Sequence, residues 1–228
     1  MLFAANFLVI GLMIMKPTEI CLIRHGETAW NSEKRIQGQI DIDLNAVGVE
    51  QAEAAACRLA TLPFAALYSS DLLRARHTAE RIGALLEMAP LLLPEFRERR
   101  YGCFEGLTYE DAERDYPADY AAFEARIPDY AFPAGGESLL QFHARVTAGL
   151  GELARRHGGQ RIAIVTHGGV LDIVNRFVRG NPLQAARDFL IPNAGLNWVA
   201  LEDGRWSLTS WGETGHLAAS ARDELRHA

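Results

Sequence analysis

Two short apolar runs, Ile20-Cys21-Leu22-Ile23 and Ile162-Ala163-Ile164-Val165, each break off at a histidine followed by glycine: Arg24-His25-Gly26 in the first and Thr166-His167-Gly168-Gly169 in the second. Four apolar residues in a row, with no polar alternation, mark a strand buried on both faces, and such strands belong to parallel sheets covered by helices. The chain is thereby confined to the α/β class. Open α/β sheets bind ligands outside the carboxyl ends of their strands, which is where both histidines fall. A neutral imidazole is a competent nucleophile near neutral pH, the planar fork of Arg24 suits a phosphate, and Gly26 has no Cβ to block close approach. These residue types point to attack on phosphorus. Buried histidines are also common in cores and short matches arise by chance, so the rest of the chain has to carry the argument.

The chain has 228 residues, a length that α/β folds reach without splitting, so one large core is expected. With 49% hydrophobic and 23% charged residues it reads as an ordinary globular protein. A net charge of -6 argues against nucleic acid as a partner. Cys21, Cys57 and Cys103 are odd in number and widely spaced, which indicates neither a disulfide framework nor a zinc site and suggests a reducing cytoplasm. Residues 1–15 are apolar but lack a basic flank and a cleavage site and are too short to span a bilayer. They are read as an apolar N-terminal extension with no stable membrane insertion.

Along the chain, residues 32–44 lack apolar periodicity and read as a loop, in which Asp41 and Asp43 are loop acids and not metal ligands. Asn45 caps a helix over residues 46–62, and Ala66-Leu67-Tyr68-Ser69 is a second buried strand. The next helix carries Arg74 in its first turn, where free N–H groups already favour an anion; Arg76 and His77 belong to its surface. Leu91-Leu92-Leu93 is a third strand closed by Pro94. Residues 107–133 form short helices whose aromatics, Tyr109, Tyr116, Tyr120 and Phe123, are read as packing. Gly135-Gly136-Glu137-Ser138 opens a long helix to about His157, and strands near 197–201 and 205–211 are joined by Asp203-Gly204.

Arg24-His25-Gly26-Glu27-Thr28 with Trp30-Asn31, the Ser-Ser-Asp stretch before Arg74, and Thr166-His167-Gly168-Gly169 resemble, in that order, the signature of the histidine phosphatase superfamily, the phosphoglycerate-mutase-like proteins. The resemblance runs from about Glu19 to Trp211. It implies a three-layer sandwich with a mostly parallel central sheet flanked by helices. It further implies a natural start at Met13 or Met15, with residues 1–15 an extension ahead of it, a single domain over residues 16–216, a cap insertion at 107–133 and a tail at 217–228. By the same resemblance His25 is the nucleophile, Arg24 and Arg74 hold the phosphate with His167 and Gly168, and Asn31, Gln37 and Gly38 contact it through amides. Glu98, in register with Gly102 and Glu105-Gly106, becomes the general acid.

The implied activity is that of a metal-independent phosphomonoesterase, without cofactor, acting on a small phosphorylated metabolite through a phosphohistidine. Two alternatives stand beside it. Arg99 and Tyr101 resemble the pattern of cofactor-dependent phosphoglycerate mutases, although those carry a longer insertion between the acid and the second histidine. A non-catalytic phosphate-binding or interaction module is the other. Natural substrate and oligomeric state are left open, a homodimer included.

Overall fold

A computed structural model describes residues 16–217; the expectations for residues 1–15 and for the tail after 217 lie outside that range. The sheet has six strands: β1 (Thr18–Arg24), β2 (Ala66–Ser69), β3 (Leu91–Leu92), β4 (Arg161–Thr166), β5 (Leu196–Glu202) and β6 (Arg205–Glu213). Their order is β3-β2-β4-β1-β5-β6, parallel from β3 to β1 and antiparallel from β1 through β6. The α/β class and the mostly parallel sheet expected from the sequence are what is found.

Strand alternation sorts the apolar runs onto two faces. Ile20, Leu22, Ile162 and Ile164 meet α6 (Leu139–Arg156) and α7 (Gly168–Arg179), whereas Cys21, Ile23, Ala163 and Val165 meet α2 (Ala46–Leu59) and α3 (Leu73–Leu86). Every one of these strand residues is fully buried. The second face is lined by Ala52, Ala55, Ala56, Ala75 and Ala79, so α2 and α3 lie close to the sheet. That proximity explains Gly26: a Cβ there would meet the Gly48 carbonyl oxygen of α2 at 2.3 Å. Its missing side chain makes room for α2, where the sequence reading had assigned the space to a ligand.

Boundaries differ from expectation in a few places. A single helical turn, α1 (Ala29–Ser32), follows the first histidine, closed by a reciprocal Thr28–Asn31 capping box that a four-residue window does not reveal. The second helix stops at Leu59, three residues early, in a turn ahead of Pro63. The third strand is two residues long and exposed, because it is the sheet edge. Residues 107–133 contribute α4 (Tyr109–Asp115) and α5 (Pro117–Glu124), which gather Phe104, Ala112, Tyr120, Phe123 and Phe132 into an apolar cluster of their own beside Ile36 and Tyr101. Among the described residues no helix is long and apolar enough to cross a membrane.

Candidate active site

Parallel pairing of β1 with β4 places Arg24 opposite Thr166, so the two histidines that follow leave the sheet side by side. The His25 N–H donates to the Thr166 carbonyl at 2.9 Å, and the two imidazole rings lie 5.2 Å apart. Both rings are buried. The His25 ring is held at Nδ1, 2.7 Å from the Gly26 carbonyl oxygen, an acceptor that fixes Nδ1 as the N–H and leaves Nε2 with its lone pair. Burial, then Arg74 and Arg24, hold the His25 pKa well below the usual imidazole range. It is therefore neutral where a nucleophile has to be.

His167 follows different logic. Its Nε2 is 2.8 Å from the Ser70 hydroxyl, while Nδ1 is buried with no hydrogen-bond partner among the described residues. The Ser70 oxygen also accepts from the Leu72 N–H at 3.3 Å and keeps both a second lone pair and its own proton, so its bond to His167 Nε2 accommodates either ring tautomer. Burial, then Arg74 and His25, lower the His167 pKa well below its ordinary value.

The cleft between these groups is small and is lined by Arg24, His25, Asn31, Gln37, Gly38, Arg74, Glu98 and Gly168, with Arg35, Ile36, Tyr101, Tyr109 and Phe123 around them. Arg74, at the second position of α3, spends Nη1 on the Ile40 carbonyl and Nη2 on that of Gly38; its buried Nε has no partner among the described residues. Burial lowers its pKa to about 10, so it remains a cation at neutral pH. Arg24 donates to the Ile191 carbonyl at 2.6 Å. Asn31 Oδ1 accepts from the Thr28 N–H and hydroxyl, which leaves the amide NH2 as the group it can offer an anion. The loop acids clamp the Gln37–Asp43 segment to α3: Asp41 accepts from the Leu73 N–H at 2.6 Å, and Asp43 holds His77.

Glu98 enters the cleft from the loop after a 3₁₀ turn at Pro94–Phe96, with Oε2 accepting from the Gly169 N–H (2.9 Å) and Oε1 from the Arg99 N–H (2.7 Å). Gly169, the second residue of α7, thus spends its N–H on Glu98, while Gly168 ahead of it lines the cleft. Burial raises the Glu98 pKa in spite of these donors and of Arg74 and Arg24. Glu105, one of the neighbouring acids, instead accepts from the Gln39 and Tyr101 N–H groups and ties the Gly38 turn to the Glu98 loop.

The structure brings together His25, His167, Arg24, Arg74, Glu98, Asn31, Gln37, Gly38 and Gly168. Sequence reasoning missed four supports: Ser70, Thr78, whose hydroxyl accepts from the Gly26 N–H, and Ile191 with Asn193, whose amide donates to the His25 carbonyl. The last two lie in an irregular segment with no periodicity to mark it. Tyr109 and Phe123, read as packing, line the cleft.

Residues 20–214 match the sequence pattern of the histidine phosphatase superfamily, branch 1. The chain belongs to that family. It is accordingly a phosphoric monoester hydrolase in its machinery, with mutases among its relatives. It is 41% identical over 204 residues to a metal-independent phosphoserine phosphatase of Arabidopsis thaliana, covering 89% of this chain and 84% of that one. A phosphoglycerate mutase-like protein 4 from the same plant is 40% identical over 202 residues, 87% of this chain and 86% of the relative. The solved phosphoserine phosphatase of Entamoeba histolytica, a histidine-to-alanine mutant bound to phosphoserine, superposes with a TM-score of 0.80 at 29% identity, covering 88% of this chain and all of that one.

Proposed function

We propose that this histidine phosphatase hydrolyses a small phosphomonoester whose leaving group is an alcohol bearing a carboxylate, of the phosphoserine type, with no metal ion in the reaction. The observation that carries the reading is the His25 ring, pinned at Nδ1 by the Gly26 carbonyl with Nε2 left as nucleophile opposite Glu98. Arg24, Arg74, the ring of His167 at Nδ1, the amides of Asn31 and Gln37 and the backbone at Gly38 and Gly168 surround the non-bridging oxygens. Such preorganised charge is the main requirement of phosphoryl transfer.

His25 Nε2 forms a bond to phosphorus as the bond to the leaving oxygen breaks, and the protonated Glu98 gives that oxygen its proton. A bound dianion raises the Glu98 pKa further, so the acid form is available when needed. In the second half, ionised Glu98 takes a proton from water, whose oxygen displaces His25 from phosphorus and restores the free imidazole.

The small cleft and the identity to a phosphoserine phosphatase support the substrate class. Of the two residues that resemble the mutase pattern, Tyr101 lines the cleft, whereas the Arg99 guanidinium lies over the Phe132 ring at 4.6 Å and donates to the Glu137 carbonyl. That arrangement favours hydrolysis over phosphoryl return to a bound phosphoglycerate. We read residues 107–133 as the cap, and the free Cys21, Cys57 and Cys103 fit a cytoplasmic setting. The test is phosphate release from a panel of phosphometabolites, with interconversion of 2- and 3-phosphoglycerate, primed by 2,3-bisphosphoglycerate, measured in parallel. Release from phosphoserine is expected; isomer interconversion faster than release would make the enzyme a mutase.

A further inference from the structure

Glu98 is carried by a stretch, residues 97–101, that belongs to neither helix nor strand, so no repeating backbone ladder fixes it. The Arg97–Asp71 ion pair and the Gln39 amide, which donates to the Glu98 carbonyl at 3.1 Å, hold it from one side, and the largest set of bonds comes from Glu137, just ahead of α6, and Arg145 within α6. Glu137, read from the sequence as part of a helix start, takes no part in capping α6; Ser138 and Gln141 do that between them. From just ahead of the helix it forms a two-point ion pair with Arg145 within it, 2.9 Å from Nε to Oε1 and 2.7 Å from Nη2 to Oε2.

The pair grips the Glu98 loop on both sides. Arg145 Nη1 donates to the carbonyls of Glu95 (2.8 Å) and Arg97 (3.0 Å), and Nη2 to that of Glu98 itself (3.3 Å). Glu137 Oε2 accepts from the Arg100 N–H at 2.9 Å, its backbone N–H donates to the Arg100 carbonyl, and its carbonyl accepts from Arg99 Nε. Both side chains are about four-fifths buried, and neither lines the cleft. Only a planar, five-donor group can serve three carbonyls and a carboxylate at once.

We infer that Arg145 and Glu137 are positioning residues for Glu98: they set the place and aim of its carboxyl group without touching substrate. The inference rests on the reading of Glu98 as general acid. Proton donation needs hydrogen-bond reach, and a displacement of about 1 Å costs on the order of 10²-fold in rate. An aryl phosphate, whose leaving group hardly needs a proton, is insensitive to that displacement.

The experiment compares phosphoserine with p-nitrophenyl phosphate in Arg145→Ala, Arg145→Lys, Glu137→Gln, Glu98→Gln and the double variant Glu98→Gln/Arg145→Ala, each checked by circular dichroism. Arg145→Ala is expected to lose roughly 10²-fold in kcat on phosphoserine and less than about threefold on the aryl ester, with KM little changed for either. Arg145→Lys and Glu137→Gln, which keep charge or shape, should show the same selectivity to a smaller degree, and they carry the test if Arg145→Ala does not fold. In the Glu98→Gln background, Arg145→Ala should add no further selective loss. Equal losses on both substrates in the Arg145 and Glu137 variants, alongside a selective loss in Glu98→Gln, would overturn this inference alone. Equal losses in Glu98→Gln itself would overturn the general-acid reading and the inference with it.

Discussion

Gly169 offers a way to move the Glu98 carboxyl group without altering it. A Cβ at this position would lie 2.2 Å from Glu98 Oε1, 3.1 Å from Glu98 Cδ and 3.1 Å from the edge of Phe142. To regain an ordinary contact of 3.4 Å the carboxylate must retreat by roughly 1 Å, a shift that the far end of a glutamate side chain makes readily. The fold is not expected to suffer much, since Gly169 is in the first turn of α7 and alanine is the better helix former by about 1 kcal/mol. The Gly169 N–H bond to Glu98, 2.9 Å long, is stretched or lost in the process. A misplacement of that size is worth on the order of 10²-fold in rate, and general acid help as a whole roughly 10²–10⁴-fold. Gly169→Ala should therefore reduce kcat on phosphoserine by about two orders of magnitude while leaving p-nitrophenyl phosphate nearly untouched and the melting temperature close to that of the parent. Steady-state kinetics on both esters, with a thermal melt, measure all three. A variant that hydrolyses phosphoserine at the parental rate would show that Glu98 does not deliver the proton.

The remaining predictions concern the nucleophile, the metal and pH. His25→Ala should abolish turnover with the fold intact, and acid-quenched labelling of the parent should find an acid-labile, base-stable phosphate on His25; near-native activity in the variant rules out the assignment. Chelation should leave the rate unchanged, because paired arginines supply the charge and no group of His, Cys, Asp or Glu fit to hold a metal occurs among the described residues; loss with EDTA that magnesium or manganese restores would contradict this. His25 and His167 both have lowered pKa values, so between the ordinary imidazole value of about 6.5 and those lowered values the unfolded chain binds the extra protons and stability falls as pH falls. Urea unfolding at a series of pH values should show that loss, and replacing His167 by Gln should flatten it; a variant with the parental slope would refute the origin assigned to it.

Strand and helix positions were readable because burial writes itself into periodicity. Ile20 to Ile23 and Ile162 to Val165 are apolar on both faces since helices cover both, and the pairing of β1 with β4 then brings His25 beside His167 with no further instruction. The place of Arg74 was legible for a similar reason, as the first turn of a helix after a buried strand, while its phosphate role came from the family resemblance. The supports were not. Ser70, Thr78 and Asn193 act through single hydrogen bonds made across the fold, and a polar residue in a turn carries no mark of which distant group it will meet. Gly26 shows the limit most plainly: its need for a missing Cβ was visible, but the neighbour that fills the space, Gly48, lies on α2 and is identified only once that helix is docked.

The same docking accounts for how one cleft handles two opposite demands. Phosphate must be held by cations, yet a general acid beside cations tends to ionise and lose its proton. Here Arg24 and Arg74 do lower the Glu98 pKa, and so do the N–H groups of Gly169 and Arg99, but desolvation outweighs them and the net shift is upward. That outcome depends on keeping water from Glu98, which is 7% exposed and packed directly against the amino end of α7. On the proposed roles, proton donation and phosphate binding are coupled through burial: a change that admits water to Glu98 strengthens the influence of neither arginine, yet lowers the fraction of enzyme in which Glu98 holds its proton.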